Sequence, residues 1–66
     1  MQVKDLNVGE WLIVLPQDSV PPAQWGKEFK ILEKIQNDKV NVVDSGRMVY
    51  TISGNINCEF VGDENE

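Results

Sequence analysis

Apolar residues follow a strand-like pattern through the middle of this 66-residue chain. Two valine-rich arms, residues 40–44 and 47–53, flank Ser45-Gly46, a pair that can supply the positive φ angles of a tight turn. The second arm alternates with the period of two that a β-strand shows, and its inward side would carry Met48, Tyr50 and Ile52. The pattern predicts a β-hairpin.

Two further segments have the length and composition of strands. The run from Glu10 to Leu15 is almost wholly apolar, which predicts a strand covered on both faces and ended by Pro16. Residues 58–61 predict a short closing strand. Between the first strand and the next, residues 16–27 predict a long loop with extended backbone at Pro21-Pro22. Loops of this length tend to carry function.

The segment 28–36 fits two structures. As a strand it places Phe29, Ile31 and Ile35 on one face, with Glu33 as an inward misfit unless a bulge intervenes. As a helix it aligns apolar residues at spacings of three, but it is short and has no N-cap residue. Asn37-Asp38 then makes a turn into the valine-rich arm. We favour the strand and keep the helix as the alternative.

The remaining segments complete a small barrel. Residues 1–7 are expected to pack across one end of it, with a turn at Asn7-Val8-Gly9, and residues 53–57 predict one tight turn or a single 3₁₀ turn before the last strand. The predicted fold is all-β, a five-stranded, partly open barrel over residues 1–61, followed by a frayed acidic tail at 62–66. A helix at 28–36 would make the fold α+β.

Composition narrows the chemistry. Eleven acidic and six basic residues give a net charge of −5, which disfavours generic binding to nucleic acid or to an anionic membrane. The chain has no histidine, and its one cysteine, Cys58, is expected in the core without a catalytic partner. These features predict a non-enzyme that needs no cofactor and no metal. The lack of a signal peptide or an apolar span predicts a cytoplasmic location.

The element order of the chain resembles that of the small barrels of the Src-homology, Tudor and KOW type, over roughly residues 8–61. The sequences ILEKI at residues 31–35 and VNVVDSG at residues 40–46 are similar to the Tudor pattern of an isoleucine-leucine-rich strand, a valine-rich strand and an Asp-Tyr-Gly turn. The resemblance implies a barrel fold and a binding role. Tudor domains hold methylated ligands in an aromatic cage, and the turn tyrosine of that cage is Ser45 here.

Candidate contact residues come from the loop and the hairpin. No periodic pattern places Trp25 in a core, so it is the best candidate for a partner-binding anchor, with a lid over the core as the alternative. Tyr50 and Trp11 would add contact area, although alternation favours Tyr50 inside the barrel, and the apolar run that contains Trp11 favours a structural position over one mouth of the barrel. Three carboxylates would steer a cationic partner: Asp18, Glu28 and Asp44.

This set predicts a protein-interaction module that presents an aromatic and acidic patch to a basic or Pro-rich segment of a partner. Two other functions fit the sequence. Small size and negative charge are typical of phage-type inhibitors or nucleic-acid-mimicking decoys of a host protein. A nucleic-acid- or ribosome-binding barrel would instead gather basic residues on one face, namely Lys27, Lys30, Lys34, Lys39 and Arg47. The sequence leaves the oligomeric state open and predicts no membrane contact.

Overall fold

The computed structural model describes residues 1–36 and 38–63, which fold around a single antiparallel sheet. Its five strands are β1 (Glu10–Val14), β2 (Glu28–Gln36), β3 (Lys39–Val43), β4 (Val49–Ile52) and β5 (Cys58–Asp63). The strand order is β4-β3-β2-β1-β5, so β4 and β5 are the two edges and the sheet does not close. The all-β class and the partly open small barrel are confirmed.

The ambiguous segment is strand β2, and the helical alternative is therefore wrong. Phe29 and Ile31 are both buried, as alternation along a strand requires. The register shifts between Ile31 and Glu33, and the resulting bulge places Glu33 opposite Asn41, outside the core. The sequence required this bulge, because a regular strand would have buried the Glu33 carboxylate.

The bulge also changes the faces of the residues that follow it. Lys34 stands opposite Val40, which is fully buried, whereas Ile35 is 49% exposed. The expectation that Ile35 points into the core is wrong, because one extra residue in a strand moves every later side chain to the other face. The Lys34 Nζ reaches over the end of the core and donates to the Lys4 carbonyl at 3.0 Å.

The core lies on the inner face of the sheet, and all five strands contribute to it or pack against it. Each buried member has a relative exposure of 6% or less: Val3, Leu6, Leu12, Val14, Val20, Phe29, Ile31, Val40, Val42 and Cys58. Tyr50, Ile52 and Ile56 are half-buried against this cluster. Burial of Cys58 was expected from its closing strand, and the same desolvation raises the pKa of its thiol.

The N-terminal residues cover one end of the core, as the sequence predicted. The Val3 N–H donates to the Ile56 carbonyl at 3.0 Å, and the Lys4 N–H donates to the Gly54 carbonyl at 2.9 Å. These bonds hold a short 3₁₀ helix, Val3–Asp5, against the sheet and bury Val3 and Leu6. Complete burial of each side chain contributes about 1.5–3 kcal/mol, so this segment belongs to the folded unit.

Strand β1 is covered more completely on one face than on the other. Leu12 and Val14 are buried, but Trp11 and Ile13 are only half-buried on the outer face. The expectation of a strand covered on both faces, with Trp11 over a mouth of the barrel, is wrong. Trp11 stands opposite Lys30 on one side and Gly62 on the other.

The last strand is longer than the sequence indicated. Gly62 and Asp63, predicted to begin the tail, belong to β5 and stand opposite Trp11 and Glu10. The rest of the predicted tail, residues 64–66, lies outside the described residues, as does Asn37 of the turn before β3. Residues 53–57 form a tight turn closed by a bond from the Ile56 N–H to the Ser53 carbonyl at 3.4 Å. The 3₁₀ helices lie elsewhere, at Val3–Asp5 and Pro22–Gln24.

The predicted hairpin joins β3 and β4, but its turn differs from the expected one. The Arg47 N–H donates to the Asp44 carbonyl at 3.1 Å, and the Asp44 N–H donates to the Met48 carbonyl at 3.0 Å. This is a three-residue loop whose last residue, Arg47, has φ 67°. The positive φ therefore falls on Arg47 and not on Ser45-Gly46. A three-residue loop needs its left-handed residue at the third position.

Replacing Arg47 with glycine is expected to stabilise the protein by about 0.5–1 kcal/mol. A left-handed backbone costs a residue with a side chain about 1–2 kcal/mol, and glycine avoids this cost. Glycine also loses more conformational entropy on folding, which offsets part of the stabilisation. Gly46→Ala is the matched control, because Gly46 has an ordinary φ and an added Cβ would lie 3.4 Å from Asp44 Oδ1. Urea denaturation of both variants tests this, and an Arg47→Gly variant less stable than the parent would contradict it.

Candidate binding groove

An open groove of about 480 Å³ runs between the long loop and strand β4. The turn after β4 closes one end of it. Its lining holds twelve residues, none of them charged: Val14, Ser19, Val20, Pro21, Gln24, Phe29, Tyr50, Thr51, Ile52, Ser53, Asn55 and Ile56. The volume falls within the range of about 300–1,000 Å³ that is typical of ligand pockets. An uncharged, partly apolar groove favours an uncharged, partly apolar ligand segment.

Two aromatic rings lie at the base of the groove. Phe29 is buried, and its ring centroid lies 5.5 Å from that of half-buried Tyr50 at an interplanar angle of 74°. This edge-to-face arrangement is one of the preferred geometries of aromatic pairs and contributes about 0.5–1.5 kcal/mol beyond burial. The pair lies between the core and the groove: Phe29 is buried on β2, and Tyr50 is half-buried on the edge strand β4.

The long loop, residues 15–27, forms the opposite wall. Pro22–Gln24 is a 3₁₀ helix with proline in its first turn, where the missing N–H costs nothing. Gly26 has φ 79°, and its N–H donates to the Val14 carbonyl at 2.8 Å, which returns the chain to the sheet. Proline at one end of the wall and a bonded glycine at the other restrict the conformations of this loop.

Trp25 folds back onto its own loop. Its indole Nε1 donates to the Val20 carbonyl at 3.0 Å and to the Gln17 carbonyl at 3.3 Å, while the residue remains 40% exposed. The polar edge of the ring is therefore bonded inside the loop, and part of the apolar ring is in contact with solvent. Trp25 stabilises the wall of the groove and borders it, but it does not line it.

Gln17 links the long loop to the turn before β5. Its side-chain Nε2 donates to the carbonyls of Leu15 at 2.8 Å and Asn57 at 2.9 Å. Its Oε1 accepts the Asn57 N–H at 2.9 Å and the Ser19 hydroxyl at 3.4 Å. One amide thus bonds to the long loop and to the turn before β5, which lies forty residues further along the chain. This side chain therefore ties the long loop to the turn at one end of the groove.

Asp44 is engaged in the hairpin. Its Oδ1 accepts the N–H groups of Gly46 at 2.8 Å and Met48 at 2.9 Å, and its Oδ2 accepts the Tyr50 hydroxyl at 3.3 Å. The Met48 hydrogen bond is the largest cause of a lowered pKa of Asp44. Desolvation and then the Asp44 charge raise the pKa of Tyr50. This carboxylate orders the turn and the tyrosine below it.

The structure brings together part of the predicted contact set. Tyr50 lines the groove, and Asp18 is exposed on the loop beside the groove residue Ser19. Trp11 and Glu28 are on the outer face of the sheet, as their pairing with Lys30 and Ile13 shows, and do not join the groove. Met48, expected beside Tyr50, is 59% exposed at the hairpin.

Sequence reasoning missed several residues of the groove. Gln17 and Gln24 are ordinary loop residues with no periodic or motif signal, so only their positions in three dimensions reveal a role. Val20 precedes Pro21-Pro22 in a polar stretch, and a lone valine before two prolines was the one available indication that the loop returns to the core. Phe29 was predicted as core, but its contact with the groove was not.

Within the described ranges, no group of three or more cysteine, aspartate and glutamate side chains could hold a metal ion. No helix among the same residues is both long enough and apolar enough to cross a membrane. Comparisons of the chain with protein-family models, with curated proteins and with solved structures find no match.

Proposed function

We propose that this protein is a non-catalytic interaction module whose groove receives a segment of a partner protein. The observation that carries the proposal is the uncharged groove between the long loop and β4, with Tyr50 and Phe29 at its base. Trp25 and Asp18 lie beside it on the loop. The partner segment is apolar where it enters the groove and basic beside it, because the net charge of −5 attracts cations.

The alternatives receive less support. The basic residues that a nucleic-acid-binding face would need are separated, since the Lys34 side chain bonds to the Lys4 carbonyl and Lys30 is on the outer face opposite Trp11. An acidic decoy would need carboxylates spaced like phosphates on its surface, and Asp44 is held inside its own turn. The module accounts for the groove, which neither alternative uses.

The proposal is tested by selecting binders from a random twelve-residue peptide display library and by measuring their affinities. Ser19→Trp, which introduces a bulky side chain at the groove, is expected to weaken the selected peptides about ten-fold or more. Ser45→Trp, at the exposed hairpin turn, is the matched control and leaves binding unchanged. Selected peptides should be enriched in lysine or arginine and bind more weakly at high salt. Equal binding by both variants would refute the proposal.

A further inference from the structure

The groove has an open strand edge along one side. Strand β4 is at the end of the sheet and pairs only with β3 among the described strands. In this ladder Tyr50 stands opposite Val42 and Ile52 opposite Val40. Asp44 and Met48 form a hydrogen-bonded pair, because the Asp44 N–H donates to the Met48 carbonyl. In an antiparallel ladder such pairs alternate with pairs that are not hydrogen-bonded. Tyr50 and Ile52 therefore bond to β3.

The intervening residues, Val49 and Thr51, direct their main-chain N–H and C=O groups away from β3. In the described part of the chain, no turn or loop hydrogen bond engages these groups. The Thr51 side chain is on the outer face, where its hydroxyl donates to Asn41 Oδ1 at 2.7 Å. Thr51 also lines the groove.

The other edge of the sheet is partly occupied. The Cys58 N–H donates to the Met1 carbonyl at 2.9 Å, and Gln2 forms an isolated antiparallel bridge with Asn57. Among the residues that the structure describes, none gives strand β4 such cover, and β4 itself carries no proline, lysine or bulge of the kind that protects an exposed edge from pairing. Val49 is 57% exposed on it. Of the two sheet edges, the β4 edge is the one that can accept a further strand.

We infer that the groove binds an extended, proline-free segment of another protein, flanked by basic residues, which adds as a strand to the free edge of β4. Main-chain hydrogen bonds to Val49 and Thr51 supply affinity, and alternate apolar side chains enter the groove beside Tyr50 and Ile52. This inference rests on the proposed function. It also narrows the class of partner segment, because a Pro-rich segment lacks the N–H donors that a strand edge requires.

Charge favours a basic partner over a second copy of this chain. Two copies would each carry a net charge of −5, whereas lysine or arginine beside the paired segment complements that charge. The groove lining itself is uncharged, so the part of the segment that pairs with β4 is uncharged too. A segment with an alternating apolar and small polar centre and basic ends satisfies both conditions.

The test uses a blocked peptide of sequence Lys-Lys-Val-Thr-Val-Thr-Val-Lys and two versions of it that are N-methylated at alternate amides, one on each edge of the extended peptide. One methylated version is expected to lose binding ten-fold or more while the other binds like the parent. Thr51→Pro removes an outward N–H that β3 does not use and is expected to weaken the parent peptide to a similar extent. Thr51→Val, which keeps the amide and loses the same hydroxyl, is the matched control.

Three results would overturn strand addition. The first is equal binding of both methylated peptides, which does not depend on the folding of any variant. The second is tight binding of a Pro-rich peptide, Arg-Pro-Leu-Pro-Pro-Leu-Pro-Arg, that is indifferent to Thr51→Pro but sensitive to Ser19→Trp; it would leave the groove as the binding site. The third is a concentration-dependent dimer, seen by sedimentation and abolished by Thr51→Pro, which would make a second copy the occupant.

Discussion

Phe29→Ala is expected to destabilise the protein by about 3–5 kcal/mol, a large share of its total stability. Removing a buried phenylalanine costs about 3–5 kcal/mol, from lost burial and from the cavity left behind. A domain of 66 residues has a total stability of only about 3–10 kcal/mol. Phe29 is 2% exposed, and its ring also supports Tyr50 at the base of the groove. Thermal unfolding followed by circular dichroism measures the loss.

Phe29→Leu separates packing from the aromatic contact. Leucine keeps most of the buried volume, so this variant is expected to fold with a smaller loss of about 1–1.5 kcal/mol, close to the loss from volume-conserving exchanges in protein cores. It removes the ring that meets Tyr50 edge to face. Peptide binding by the folded Phe29→Leu variant should be weaker than that of the parent. A Phe29→Ala variant that unfolds within 1 kcal/mol of the parent would contradict the central position of this side chain.

Gln17→Ala is expected to lower stability by about 1–2 kcal/mol and to loosen the long loop. The change removes four hydrogen bonds: two to Asn57 in the turn before β5, and two within the loop, to Leu15 and Ser19. Most of the former partners can bond to water once the glutamine side chain is gone. The loss of stability is therefore smaller than the sum of four buried hydrogen bonds. Amide hydrogen exchange should become faster at Asn57 and at Val20, whose N–H donates to the Gln17 carbonyl at 3.3 Å.

Two further variants identify the cause of that effect. Gln17→Met retains a long side chain without the amide and should behave like Gln17→Ala if hydrogen bonds are what matters. Asp18→Ala, at the exposed neighbouring position, should change stability by less than about 0.5 kcal/mol. Full stability and unchanged exchange in Gln17→Met would show that packing, and not the amide, connects the long loop with the turn before β5.

Periodicity predicted the strands well because it reports which residues must be buried. The long loop and the hairpin follow from the order of residues along the chain, whereas the pattern of 28–36 fitted both a strand and a helix, and its shortness and missing N-cap favoured the strand. Once that segment was taken as a strand, the inward Glu33 carboxylate called for a bulge. The effect of that bulge on Ile35 was not predictable in the same way. Where a bulge lies depends on the partner strand, since β3 decides which residue of β2 is left unpaired.

The candidate site was only partly predictable. Tyr50 and Trp25 stood out as aromatic residues, but sequence gave no sign that the Trp25 N–H bonds to its own loop or that Asp44 is used by its own turn. The turn itself was predicted from Ser45-Gly46, while the positive φ fell on Arg47, because the number of loop residues and the register of β3 with β4 choose the turn type together.

The sequence by itself favoured an all-β chain with one long, proline-restricted loop, an apolar core set and an acidic surface, because burial and charge are properties of single residues and of their spacing. Only the tertiary structure decided that β4 is an edge, that the loop lies across from it, and that Gln17 joins the loop to a turn forty residues away. Those features are relations between residues distant in the chain, and they depend on strand order and register, which the local pattern does not encode.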